Sequence, residues 1–539
     1  IAGIESGRET RGHRFYGNEP FKVADAADYA KALKANKVLL DPQVRAAQIG
    51  EQAHELAREH KLALVEDEAL LAENAGLTEW PQVMMGTFDE AFLAVPAECL
   101  TTSMKQHQKC FSLKHPRTGK LANRFLLVSN LKPKDGGRQI IAGNEKVIRA
   151  RLSDAKFFWD QDLKKPLDEM RLALKGITFH EKLGSQWDRV ERIAELSHRI
   201  AGAVDAVPED ARRAAQLAKA DLVSGMVGEF PELQGLMGRY YAEAAGAKPE
   251  IARAIELHYR PRGPSDSVPK ADAGDTVAIA VALADKLDML TGFWAIDEKP
   301  TGSGDPYQLR RAALGVVRIV LENDLRLPLV PLMQDEFAHW LQPGDGKADP
   351  GAFLFNGVDV YAHTIDLLNF FAERLKVHLR EKGARHDLID AVFAIGGQDD
   401  LALIVKRVAA LGDFLKTDDG ANLLAGVRRA TNILRDEEKK DKRSHDGDYK
   451  LDLLTAKEEL ALAAAIESVK QDTTAAINVE NFAGAMRALA ELRAPVDAFF
   501  DHVTVNADDA KVRENRLRLL SQIRAATLNV ADFSKIAAA

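Results

Sequence analysis

Residues 278–288 read Ala-Ile-Ala-Val-Ala-Leu-Ala-Asp-Lys-Leu-Asp, and the first charge in this apolar run, Asp285, stands four and seven residues after Val281 and Ala278. Those spacings put all three on one side of a helix. A carboxylate on an apolar stripe implies a buried helix that holds a polar group inside the fold. The pattern occurs twice upstream: His198 shares a face with Ala194 and Ala201, and Asp221 with Ala214 and Leu217. From about 166 to 330 strand signals vanish and Ala-, Leu- and Arg-rich runs of period 3.6 take over, broken at 225–228, 261–269 and 300–306 by Gly and Pro. This predicts a helical domain over 166–330 with His198, Asp221 and Asp285 pointing inward.

Toward the N-terminus, residues 1–165 mix a helix-compatible run over 44–64 with strand-like runs over 91–95 and 125–128, so this region is α+β. Toward the C-terminus, Pro328, Pro331, Pro343 and Pro350 punctuate a connecting helical region over 331–385. Amphipathic helices resume near Tyr361 and fill a second helical domain over 386–539. The fold class is therefore mainly α and multi-domain. Length agrees, because 539 residues exceed what one hydrophobic core supports.

Apolar residues make up 46% of the chain and charged residues 29%, which excludes wholesale disorder and fibrous repeats. No run approaches the roughly 18–20 apolar residues that span a bilayer, and no signal segment opens the chain. The expectation is a cytoplasmic protein with no membrane partner. Cys99 and Cys110 are the two cysteines, too few for a disulfide framework or a thiolate zinc site. Against 73 basic residues stand 81 acidic ones, a net charge of −8 that does not suit a protein coating nucleic acid indiscriminately. The chain opens at Ile1 on a dense polar motif. That predicts a further N-terminal portion preceding it.

The order of a His, an Asp some twenty residues on and an Asp in Ala-Asp-Lys-Leu-Asp resembles the HD superfamily of metal-dependent phosphohydrolases, which places such groups around a metal. The signature His before the first Asp is here Ala220. A site lacking one imidazole loses much of its affinity, since open metal sites rely on three or four protein donors. His258, in Glu-Leu-His-Tyr (256–259), is a substitute ligand or a satisfied core histidine. The weight falls on a degenerate, structural domain without metal.

Three further places attract anions. In the loop Pro-Thr-Gly-Ser-Gly-Asp-Pro (300–306), small residues precede a helix carrying Arg310 and Arg311, yet Asp305 is placed to cap that helix, with Pro306 in its first turn. The start, Gly-Ile-Glu-Ser-Gly-Arg-Glu-Thr-Arg-Gly-His-Arg-Phe (3–15), sets Arg8, Arg11, His13 and Arg14 among glycines, which suits phosphate recognition and suits an ordered turn almost as well. Near the C-terminus, residues 492–506 carry Asp497 and Asp501, and Arg513-Glu-Asn-Arg-Leu-Arg-Leu-Leu follows. On a helical wheel Arg516 falls amid Val512, Leu519, Leu520 and Ile523, so a buried guanidinium is expected to pair with Asp497 or Asp501, with Arg513 beside it. Lys511 and Arg518 fall on the far side with Asn515 on the flank, where a polyanion would meet them. The run 435–450 holds six basic and six acidic residues and reads as a solvated loop.

Several stretches together carry a wider resemblance: the 3–15 motif, Met-Lys-Gln-His-Gln-Lys-Cys-Phe (104–111), Gly-Asn-Glu-Lys-Val-Ile-Arg-Ala-Arg-Leu-Ser-Asp-Ala-Lys-Phe-Phe (143–158), Lys-Ala-Asp-Leu-Val-Ser-Gly-Met-Val-Gly-Glu-Phe-Pro-Glu-Leu-Gln-Gly (219–235) and Pro-Val-Asp-Ala-Phe-Phe-Asp (495–501). The chain resembles, essentially end to end, the beta subunit of the bacterial tetrameric glycyl-tRNA synthetase. The resemblance implies an enzyme of two alpha and two beta subunits, with ATP, Mg and glycine held on the alpha subunit. It implies that the beta subunit positions the anticodon and acceptor arm of glycine tRNA, with an HD-like domain in its middle and an anticodon-binding domain at its C-terminus.

The residues agree with a subunit that positions RNA, since no phosphate loop, class II motif or acid/base set is legible and no cofactor or catalytic residue is assigned to this chain. Arg8, Arg11, Arg14, Arg310, Arg311, Lys511, Asn515 and Arg518 are the expected tRNA contacts. Two rival classes stay open, an HD-type phosphohydrolase and a free-standing RNA-binding protein. Ala220 speaks against the first, and nothing in the sequence discriminates against the second.

Overall fold

The computed structural model describes residues 7–340, 354–355, 358–396 and 399–537. Pro343 and Pro350 of the connecting region and residues 3–6 of the N-terminal motif lie outside them. The chain divides into two compact units. The first comprises Ile1–Ile177, Ser185–Trp187 and Leu217–Glu256, the second Thr178–Gly184, Asp188–Gln216 and Leu257–Ala539.

In the first unit, β1 (Glu9–Thr10) pairs antiparallel with β2 (Phe21–Lys22), and β3 (Ala63–Leu64), β4 (Gln82–Thr87), β5 (Phe111–Lys114) and β6 (Leu121–Ser129) form an antiparallel sheet in the order β3-β5-β6-β4. Alternation along β5 and β6 gives the sheet an apolar face, and Phe111, Leu113 and Leu126 join Ile49, Ala53 and Ala57 of the helix Pro42–Glu59 in one core. The register sets Gly86 opposite Phe125, and a Cβ at Gly86 would lie 2.4 Å from that ring. Only glycine lets the phenyl ring lie across the strand.

The strand expected over 125–128 is therefore part of β6, and the helix expected over 44–64 ends at Glu59. The stretch 91–95 is not a strand. Glu90–Ala94 is a 3-10 turn whose amide at Ala91 donates to the Asp89 carboxylate at 2.9 Å. Phe92 is buried while Leu93 is exposed, so one side chain anchors the segment and the local cap decides its form.

The second unit is built around the helix Thr276–Ala295, apolar on nearly every side, as a central core helix should be. The helices Leu309–Glu322 and Leu329–Trp340 pack on it, and Val360–Glu381 packs on all three neighbours in turn. Leu401–Phe414, Asp418–Asp441, Lys457–Asn478, Phe482–Ala490, Arg493–His502 and Ala510–Leu528 complete an all-helical C-terminal part. Its helix starts are capped by Asp400, Thr417, Asn481 and Asp509 side chains, each accepting from amides of the first turn. Among the described residues no helix is long and apolar enough to cross a membrane.

Candidate nucleic-acid interface

The helix Ala510–Leu528 carries the basic residues on which an RNA-binding reading depends. Most already have partners. Arg516 donates through Nε to Glu459 Oε1 at 2.5 Å and through Nη1 to the Thr504 carbonyl at 2.7 Å. Asp497 and Asp501, the expected partners, are exposed, and Asp497 faces Arg493. The helical phase set Arg516 inward correctly, but the facing element is the helix Lys457–Asn478 and not Arg493–His502. Arg513 bridges Glu437 at 2.5 Å and Asp441 at 2.7 Å, and Lys440 and Arg513 hold the Glu437 carboxyl down at about 2. Arg518 is half-buried, its Nε donating to Glu514 at 3.1 Å. Asn515 is buried. Its amide and carbonyl groups clasp the backbone of Lys450 at 2.9 and 2.7 Å, which makes it a structural clamp with no face for a polyanion. Lys511 is exposed at the helix start.

The charge run 435–450 is not a solvated loop. Its first seven residues end the helix Asp418–Asp441, and the turn behind them is drawn onto Ala510–Leu528 by ion pairs. Arg443 pairs with Glu514 at 2.6 Å, and buried His445 faces Glu514 at 2.8 Å and Asp441 at 3.1 Å. Balanced charge in sequence became complementary charge in space. Because Asp441 holds Arg513, the exposed Lys439 and Lys442 come to the end of the fold that carries Lys511. Sequence reasoning missed these two lysines, which stood unmarked among twelve charges.

The positions matched to a metal set each have another occupation. Asp221 is fully buried and its Oδ2 accepts the amides of Gly235 at 2.6 Å and Gly238 at 2.9 Å, capping the helix Leu236–Ala244. Asp162, fully inside the same unit, does likewise for the Gly225–Glu229 helix, accepting from Gly225, Met226 and the Tyr241 hydroxyl. The 219–235 motif is thus a backbone knot tied by two buried carboxylates. In the second unit Asp285 accepts from Arg189 at 2.9 Å and Asp288 from Arg192 at 2.6 Å, a buried cross-link between the helices Gln186–Ala201 and Thr276–Ala295. Lys286, between those two aspartates in sequence, donates to the carbonyls of His258 and Arg260, and burial lowers its ammonium to about 8. His258 is buried with its ring against Tyr259. His198 is partly buried, its Nδ1 shielded from solvent and 3.6 Å from exposed Glu209. Among the described residues no group of three or more His, Cys, Asp or Glu is placed to hold a metal ion. Carboxylates engaged by amides and guanidinium groups do not fit one.

The remaining candidates divide between structure and surface. Asp305 caps the helix Leu309–Glu322 by accepting from Leu309 at 2.8 Å and Arg310 at 3.0 Å, as expected, although the helix starts at Leu309 and leaves Pro306 in the loop. Arg310 folds back onto the carbonyls of Gly302 and Gly304, and Arg311 stays exposed beside Gln308. In the N-terminal turn His13 is the anchor: the Phe15 amide donates to Nδ1, so Nε2 carries the proton that it donates to the Asn130 carbonyl at 2.7 Å. Arg8 and Arg11 each hold one backbone carbonyl, of Ala24 and Asn18, and with Arg14 remain exposed. Gly12 is required, since a Cβ there would lie 2.4 Å from that of Asn36.

The family model for the glycyl-tRNA synthetase beta subunit matches residues 1–394. The chain belongs to that family. The model of the DALR anticodon binding domain matches residues 423–532, the stretch that contains the ion-paired helices above. Glycine–tRNA ligase beta subunits are similar over 99% of this chain: that of Rhodospirillum centenum is 52% identical and covered to 72% of its length, that of Ruegeria sp. (strain TM1040) 51% and 75%, and that of Dinoroseobacter shibae 50% and 76%. Family membership gives the C-terminal helices a setting that their geometry alone did not, a beta subunit that ends in an anticodon-binding domain.

Proposed function

We propose that this chain is the tRNA-binding subunit of a glycine–tRNA ligase, which holds glycine tRNA by its anticodon and acceptor arms while an alpha subunit, binding ATP, Mg and glycine, performs the chemistry. The observation that carries the reading is the succession in one chain of a beta-subunit match and an anticodon-domain match. The assembly is two alpha and two beta subunits in the cytoplasm. Anticodon bases are unpaired and are recognised by stacking and edge hydrogen bonds, with cations fixing the backbone. Lys439, Lys442 and Lys511 are among the exposed cations of the C-terminal helices without a carboxylate partner, and Arg8, Arg11, Arg14 and Arg311 supply exposed charge elsewhere.

Glycylation of tRNA by this chain, by the alpha subunit and by the two together tests the reading. Product is expected from the mixture only. Glycyl adenylate formed by this chain alone would overturn it, as would a mixture no more active than the alpha subunit.

A further inference from the structure

The turn joining β5 to β6 reads, over 114–120, Lys-His-Pro-Arg-Thr-Gly-Lys. All seven residues are exposed. The turn contains no acidic residue, and among the described residues Lys114, Arg117 and Lys120 have no carboxylate partner. By contrast, the arginines of the Ala510–Leu528 helix are held by glutamates and aspartates.

The turn is also ordered. His115 N donates to the Lys120 carbonyl and Gly119 N to the His115 carbonyl, both at 2.9 Å, while Gly119 takes φ +69°, a conformation that favours glycine. At its base lies a hollow of about 450 Å³ whose rim includes Thr101, Thr102, Lys105 and Lys114. The base holds two carboxylates, Asp67 paired with Lys105 at 2.5 Å and exposed Glu98 accepting from the Tyr240 hydroxyl at 2.8 Å, so the cations without a carboxylate partner are those of the finger itself.

We propose that this hairpin is a docking finger for an RNA sugar–phosphate backbone, with Lys114, Arg117 and Lys120 as the phosphate contacts. The inference rests on the tRNA-binding reading above and adds a contact region remote in sequence from the anticodon domain. RNA fits better than a protein surface because the finger carries no Phe, Tyr, Trp or large aliphatic side chain, the anchors on which protein interfaces depend. Unneutralised cations on a rigid backbone are what a phosphate chain recognises, whatever its sequence.

The test is the variant Lys114→Ala, Arg117→Ala, Lys120→Ala, assembled with the alpha subunit and titrated with glycine tRNA over a salt series. Each lost phosphate contact lowers the slope of log affinity against log salt by about one. The expected result is a slope smaller by about two to three and an affinity at least about tenfold weaker near 0.1 M salt, with the melting temperature of the parent. Lys114→Arg with Lys120→Arg is expected to bind like the parent. A triple variant with parental affinity and slope, beside a parent that binds, overturns the inference and leaves the tRNA-binding reading standing. Parental tRNA binding with lost capture of the alpha subunit also overturns it, by making the finger a protein contact. A parent assembly that binds no tRNA sinks both.

Discussion

Arg516 Nε lies 2.5 Å from Oε1 of Glu459, a carboxylate with no solvent exposure. The other oxygen of Glu459 accepts the amides of Thr455 and Ala456 at 2.7 and 2.8 Å, so one residue closes the first turn of the helix Lys457–Asn478 and ties it to Ala510–Leu528. Burial pushes the Glu459 carboxyl up, but the Ala456 amide, the guanidinium and the Thr455 amide outweigh it and hold it below the usual range. Breaking a buried pair costs about 3–5 kcal/mol, and the two remaining amides favour the lower end. Arg516→Ala is therefore expected to destabilise the chain by about 3 kcal/mol. A depressed carboxylate contributes stability that is lost as pH falls, so the penalty shrinks in acid. Urea unfolding at neutral and acidic pH checks both statements.

Asp221 titrates in the opposite sense. Burial lifts its carboxyl to about 6, against the pull of the Gly235 and Gly238 amides and of Lys219. A folded pKa above the unfolded one means that the native state holds the proton more tightly, so the contribution is full in acid and is lost as pH rises through 6. Between pH 5 and pH 8 the parent is expected to lose roughly 1–2 kcal/mol that Asp221→Asn does not lose. Asp221→Ala leaves two buried amides without an acceptor and costs about 1–3 kcal/mol at either pH. Parallel denaturant curves of the three proteins at the two pH values decide it. Equal pH responses of parent and Asn variant would contradict the assignment.

A close-packed neighbour makes an independent check on the same knot. A Cβ on Gly238 would lie 2.6 Å from Cγ2 of Ile255 and 3.2 Å from Asp221 Oδ2, with no flexible side-chain end to move away. Gly238→Ala is expected to destabilise by about 1–3 kcal/mol, although alanine is the better helix former. Gly228→Ala meets nothing within 4 Å and is expected to be neutral or stabilising. Melting temperatures of the pair give the contrast.

The helical phase of single segments was legible in the sequence: Asp285 and Arg516 are turned toward the fold interior as the wheel requires, and Asp305 caps the helix it precedes. Partners were not. Glu459 stands 57 residues from Arg516, and nothing in either local pattern marks one for the other. The same limit hid the clamp of Asn515 on Lys450 and the carboxylate network that absorbs the 435–450 charges. His198 is a weaker case, since a stripe of two alanines leaves its ring only partly covered. Periodicity reports a direction, and tertiary pairing is decided by whichever element occupies that direction.

Cations that serve the fold are distinguishable by experiment from cations free to meet a phosphate. Arg513, Arg516 and Arg518 are each held by a carboxylate, whereas Lys439, Lys442 and Lys511 are exposed on a neighbouring stretch of surface. A lysine that makes one phosphate contact adds about one unit to the salt dependence of binding and little to stability. Lys442→Ala and Lys511→Ala are thus expected to keep the parental melting temperature and to lower the salt slope of tRNA binding by about one each. Asn515→Ala is expected to do the reverse, costing about 1–2 kcal/mol of stability by removing the two hydrogen bonds to the Lys450 backbone, with the slope unchanged wherever the protein is folded. Filter binding of glycine tRNA at several salt concentrations, beside thermal melts of the same preparations, reads both quantities. If Asn515→Ala lowers the slope while both lysine variants leave it alone, the RNA lies on the other face of the helix Ala510–Leu528.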